Sequence, residues 1–121
     1  MTLSAQALCQ QFQVLAQPEQ GASVAYGGVI GFAWQNAPSD SQLVLSLVDS
    51  AGLETLFTLP PDLGFNAEIG LLNLPTWGDY RWRLSLFSEP YGELCPVEGA
   101  FFREPWWSRP IENPLNPPFS R

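Results

Sequence analysis

Apolar and polar residues alternate with a period of two along most of the chain, the spacing that sends successive side chains to opposite faces of a strand. Phe32 and Trp34 share one face of such a segment, and Leu43, Leu45 and Leu47 share one face of the next, with Ser46 on the other. Tyr80, Trp82, Leu84 and Leu86 alternate with Arg81, Arg83 and Ser85, which sets an apolar row inward and an arginine pair outward. The pattern predicts strands over residues 12–16, 23–26, 29–34, 43–49, 54–59, 65–72, 80–87 and 97–103. Turn-forming clusters separate them, among them Asn36-Ala37-Pro38-Ser39-Asp40, Pro60-Pro61-Asp62-Leu63-Gly64 and Glu89-Pro90-Tyr91-Gly92. Seven or eight short strands at this spacing read as an all-β, mostly antiparallel sandwich.

The two ends differ from this body. In residues 1–11, Leu3, Ala7, Leu8 and Gln11 lie at helical spacing and continue to Phe12, with Thr2 as a candidate N-cap, so a short helix and a loose arm are both open. After the body, residues 12–103, the segment 104–121 carries Pro105, Pro110, Pro114, Pro117 and Pro118. Prolines break helices and cannot donate to a ladder, so an extended, polyproline-like tail is expected.

Three stretches stand out: Pro18-Glu19-Gln20-Gly21 ahead of a strand ending in Phe32-Ala33-Trp34, then Leu43-Val44-Leu45-Ser46-Leu47-Val48-Asp49 followed by Gly52, and Leu74-Pro75-Thr76-Trp77-Gly78-Asp79-Tyr80-Arg81-Trp82-Arg83-Leu84. Together they resemble fibronectin type III and related bacterial immunoglobulin-like domains. The third is the most specific, because a leucine six residues before a tyrosine, with a turn between, looks like the family's tyrosine corner. The resemblance implies a seven- to eight-stranded antiparallel immunoglobulin-like β-sandwich with the extended tail appended, Tyr80 capping backbone at a corner and Trp34 packing across the core. It implies no activity, since such sandwiches carry many unrelated functions.

Composition narrows the function. Twelve carboxylates face five arginines, with no lysine or histidine, for a net charge of −7. Phosphate backbones are held by clustered cations, so nucleic acid is excluded as a partner, and Arg81 with Arg83 is too small a patch to change that. No apolar run approaches the roughly 18 to 20 residues of a membrane span, and no membrane insertion is expected. The N-terminus has neither a basic n-region nor a continuous apolar stretch, so a cytoplasmic chain is the default, with virion and extracellular placements left open. Cys9 and Cys95 could pair, but with an adequate core and no signal peptide, free thiols are the favoured expectation.

Without histidine, a serine or cysteine nucleophile has no imidazole base, and without lysine there is no Schiff-base chemistry. No enzyme, metal or cofactor is expected; the aspartates in turns, Asp40, Asp49, Asp62 and Asp79, read as caps of local backbone amides. The aromatic residues are more informative. Trp34 and Trp82 fall on inward faces and are assigned to the core. Trp106, Trp107, Ile111, Leu115 and Phe119 lie in the tail, where large apolar side chains must be buried against the chain's own sandwich or against a partner. The reading is a non-catalytic structural or accessory subunit that binds a protein partner or larger assembly partly through this tail, and a homo-oligomer fits it. The alternative is a carbohydrate-binding module whose stacking platform uses Trp77 and Tyr91, joined by Trp106 and Trp107.

Overall fold

A computed structural model of the chain describes residues 4–63, 67–89 and 91–107. A short helix, α1 (Ala5–Gln11), precedes eight strands: β1 (Gln13–Ala16), β2 (Ala22–Val24), β3 (Val29–Gln35), β4 (Gln42–Asp49), β5 (Glu54–Leu59), β6 (Ala67–Gly70), β7 (Gly78–Ser88) and β8 (Gly92–Arg103). They form a three-stranded sheet in the order β1-β3-β6 and a five-stranded sheet in the order β2-β8-β7-β4-β5. Phe32, Trp34, Leu43, Leu45, Leu47, Tyr80, Trp82, Leu84 and Leu86 are all buried in one core between the sheets, as the alternation requires. Phe32 of β3 meets Trp82 of β7 edge to face at 5.1 Å and ties the two layers together.

Trp82 fits because of its neighbour. In the β7–β8 ladder it stands opposite Gly99, and a Cβ built there would lie 2.6 Å from the indole ring. Only a residue without a side chain leaves the indole its place in the inner layer.

Four features depart from the sequence reading. The five-stranded sheet is mixed rather than antiparallel throughout, because β2 lies parallel to β8, with Ala22 opposite Phe101 and Val24 opposite Arg103. Period-two alternation reports faces and carries no information on strand direction, so this was invisible in the pattern. Second, β8 starts at Gly92, well before residue 97. Pro96 argues against a regular strand, and a bulge accommodates it: Leu84 pairs with Val97 and Leu86 with Leu94, so Cys95 and Pro96 together stand against Ser85, with Cys95 at φ 56°.

Third, the N-terminal segment is a helix, and its cap is Ser4 instead of Thr2: the Ser4 Oγ accepts from the Ala7 amide at 3.1 Å. Seven residues are too few for a helix to stand alone, so α1 depends on tertiary anchors, one of which is buried Leu8.

Asn36 Nδ2 donates to the Gln11 carbonyl at 3.0 Å as a second anchor, and a third is the fourth departure. Cys9 and Cys95 are joined in a disulfide, with Cα atoms 5.4 Å apart, and are not free thiols. The bulge re-aims the Cys95 side chain out of the ladder toward α1, which no sequence spacing discloses. The bond spans 86 residues, a closure that removes on the order of 4 to 5 kcal/mol of chain entropy from the unfolded state. Among the described residues no helix is long and apolar enough to cross a membrane.

Candidate functional site

The β7–β8 ladder ends with Gly78 opposite Arg103, so the turn that enters β7 and the segment that leaves β8 emerge side by side. Trp77 stands on the first and Trp106 and Trp107 on the second. The indoles of Trp77 and Trp107 touch at 5.2 Å with their planes 80° apart, and those of Trp106 and Trp107 at 5.7 Å and 89°. All three stay largely in solvent, with relative exposures of 46% for Trp77, 70% for Trp106 and 55% for Trp107. Exposed tryptophans gathered in one patch mark a docking surface far better than isolated ones do.

Beneath the patch lies a polar hub. The Arg103 side chain is fully buried; its Nε donates to the Tyr26 carbonyl at 2.9 Å and its Nη1 to the carbonyls of Leu74 at 3.0 Å and Thr76 at 2.6 Å. The guanidinium also sits 3.6 Å from the centre of the Tyr26 ring, a cation–π contact. Among the described residues no carboxylate pairs with it, and Nη2 has no hydrogen-bond partner. Three backbone carbonyls and one ring therefore carry the solvation of a buried cation.

Thr76 links this hub to the far side of β4. Its hydroxyl donates to Asp49 Oδ2 at 2.8 Å, and the Tyr80 phenol, with its single proton, donates to the Thr76 carbonyl at 2.8 Å while its oxygen lies 2.9 Å from the Thr76 hydroxyl. Asp49 in turn accepts from the amides of Ala51 and Leu53, both at 2.9 Å. The Leu53 amide, then the Thr76 hydroxyl, hold the Asp49 carboxyl below the usual carboxylate range, against the opposing effect of burial. On the other flank, the Glu104 amide donates to the Val24 carbonyl at 2.8 Å and Ser23 Oγ to Glu104 Oε2 at 2.8 Å. The backbone on both sides of the tryptophan patch is thus hydrogen-bonded to the sandwich.

The sequence candidates divide accordingly. Trp77, Trp106 and Trp107 come together, so the start of the tail packs against its own sandwich while keeping most of its indole surface exposed. Tyr91 does not join them: it lies in the turn between β7 and β8, at the opposite end of β7 from Trp77. Ile111, Leu115 and Phe119 lie outside the described residues. Asp49 caps backbone amides as its turn position implied, but its link to Thr76, and the role of Arg103, were missed. A signal for Arg103 existed, since it shares parity with Phe101 and so points inward by period two.

The outer face of the five-stranded sheet holds a concavity of about 280 Å³, lined by Ser46, Val48, Glu54, Arg81, Arg83 and Glu98 among others. Arg83 and Glu98 pair within it, and Glu54 accepts from the Ser46 hydroxyl. Arg83 grips Glu93 in a two-point contact, Nε to Oε2 at 2.7 Å and Nη2 to Oε1 at 3.0 Å, and its Nη1 meets Glu98; Ser85 also donates to Glu93. Arg83, then Ser85, pull the Glu93 carboxyl down to about 2. A carboxylate held that firmly ionised is a poor proton donor or acceptor near neutral pH. Among the described residues no three acidic or cysteine side chains come together to hold a metal ion.

Compared with protein-family models, with curated proteins and with solved structures, the chain matches none.

Proposed function

We propose that the chain is a non-catalytic binding subunit, an immunoglobulin-like sandwich of the fibronectin type III kind that docks a protein partner through Trp77, Trp106 and Trp107. The fold part of this reading is supported by the sheet orders β1-β3-β6 and β2-β8-β7-β4-β5 and by the Tyr80 phenol donating to the Thr76 carbonyl with Leu74 buried beside it, as a tyrosine corner would. The functional part rests on one observation above all: three largely exposed indoles, Trp77 and Trp106 each in contact with Trp107, stand on a braced backbone at one end of the sandwich. Rigid aromatic anchors lose little conformational entropy on docking and dominate binding energy where they are buried. The Cys9–Cys95 disulfide favours an oxidising compartment over the cytoplasmic default, because cytosolic thiols are generally kept reduced.

A carbohydrate platform remains the second reading, favoured by the same three indoles. Against it, planes 80° and 89° apart do not align into one flat stacking surface, and Tyr91 is remote. The test is a Trp77→Ala, Trp106→Ala, Trp107→Ala variant beside the parent chain, in chemical cross-linking within the source cell and on a glycan array. The expected result is a cross-linked protein lost in the variant, with an unchanged melting temperature and no glycan bound by either chain. Identical cross-links in both chains, or a variant that melts early because the indoles close their own domain, would overturn the reading.

A further inference from the structure

Four strands lie at the edges of the two sheets: β1 and β6 in the smaller, β2 and β5 in the larger. An unpaired edge presents a row of backbone donors and acceptors to any other strand, and proteins that must stay apart blunt it by shortness, bulges or charge. Three of the edges are blunted. β2 is three residues long; β1 is four residues long with a register break between Val14 and Ala16; β6 is four residues long and carries exposed Glu68.

β5 carries none of these devices along its centre. Its six residues pair with β4 without a break in register, from Glu54 opposite Val48 to Leu59 opposite Leu43. No proline or lysine interrupts it, and its one charge, Glu54, is at its first position and hydrogen-bonded to Ser46. Leu56 is 60% exposed in the middle of its outer face, between Glu54 and Thr58. Among the described residues, the backbone groups of β5 that face away from β4 have no backbone partner.

We propose that β5 is a pairing edge and that its occupant is β5 of a second copy, joined antiparallel about a two-fold axis so that the five-stranded sheets continue as one. The two-fold restricts the register. Outer faces map onto outer faces, so directly opposed residues have the same parity and the axis passes through a residue; Leu56 and Phe57, the two at the centre of β5, keep the most pairs. In the first register Glu54 meets Thr58 of the other copy, in the second Pro60; in neither do the two glutamates oppose each other. Leu56 meets Leu56 in the first and Thr58 in the second, pairs without the like-charge penalty that opposed ions would bring. The charge of −7 on each copy is screened beyond about 8 Å at physiological salt, so it does not prevent contact at the edge.

The experiment is sedimentation velocity on the full chain over a concentration series reaching the millimolar range, with Leu56→Lys and with the triple tryptophan variant. Lysine at Leu56 is an edge-blunting substitution at an exposed site, so it leaves the melting temperature alone and raises the dimer dissociation constant at least about tenfold. The tryptophan variant dimerises like the parent, which keeps this surface separate from the docking patch. Amide exchange over residues 55–58 slows as the dimer forms. A chain monomeric at every concentration, a dimer indifferent to Leu56→Lys, or one abolished by the tryptophan substitutions would overturn the proposal.

Discussion

Two arginines on the five-stranded sheet, Arg103 at the end of β8 and Arg83 in the middle of β7, meet opposite environments. Arg83 points to solvent and has two carboxylate partners, Glu93 and Glu98. Arg103 points inward, is fully buried and has carbonyls and a tyrosine ring instead. Ion pairs at an exposed surface exchange one good set of hydrogen bonds for another and contribute little, whereas a buried cation must be solvated completely by what surrounds it. The residue with the more obvious charge partners is therefore the one whose loss should matter less.

Replacing Arg103 puts this contrast to its hardest test. Arg103→Met keeps much of the volume but strips the Tyr26 and Leu74 carbonyls of their donor, at a cost of about 2 to 4 kcal/mol for two such groups. It should also loosen the turn that carries Trp77, since the Thr76 carbonyl loses one of its two donors. Urea denaturation measures the first effect and the fluorescence of the exposed tryptophans the second. An unchanged midpoint would mean that the guanidinium is solvated and the hub is not structural.

A smaller loss is expected one ladder position from the middle of the inner face. Gly99→Ala would place a methyl group 2.6 Å from the Trp82 indole, which is itself pinned by Phe32. Overpacking of this kind typically costs about 1 to 3 kcal/mol, read as a lowered denaturation midpoint with an unaltered slope. A neutral substitution would show that the two sheets can move apart locally, and that the inner face is less rigid than its packing suggests.

The inner face was also the more legible half of the molecule. Period two in Phe32/Trp34, Leu43/Leu45/Leu47 and Tyr80/Trp82/Leu84/Leu86 was enough to place the core, because burial selects side chains by parity and leaves that record along each strand. What depends on two distant segments meeting left no such record. Trp77 touches Trp107 only because Gly78 pairs with Arg103. Cys9 reaches Cys95 only because a bulge at Pro96 turns the thiol aside, and β2 runs parallel to β8 for reasons of topology. Arg103 lies between these cases: its parity was readable, but a charge at a strand end ordinarily faces water.

The smallest expected effect belongs to the outer face, and pH separates it from the inner one. Arg83, and then Ser85, bond the ionised form of Glu93 and pull its carboxyl from an ordinary 4.5 down to about 2 in the folded chain. A carboxyl depressed on folding binds fewer protons in the native state, so its contribution is complete above 4.5 and is lost as pH falls toward about 2. Asp49 has the same sign, its carboxyl lowered mainly by the Leu53 amide and the Thr76 hydroxyl, and so also loses its contribution on acidification. Exposure distinguishes the two. Glu93 and Arg83 stand in solvent, where salt screens the pair, so Glu93→Gln should scarcely move the midpoint at neutral pH and should flatten part of the loss below 4.5. The acid dependence left in that variant should then respond to Asp49→Asn and only weakly to added salt. Denaturation midpoints from pH 7 to pH 2, at low and high salt, decide it: equal acid sensitivity in the parent and Glu93→Gln would mean that the Arg83 contact does not hold Glu93 ionised, and the contrast between the two faces would then rest on Arg103 alone.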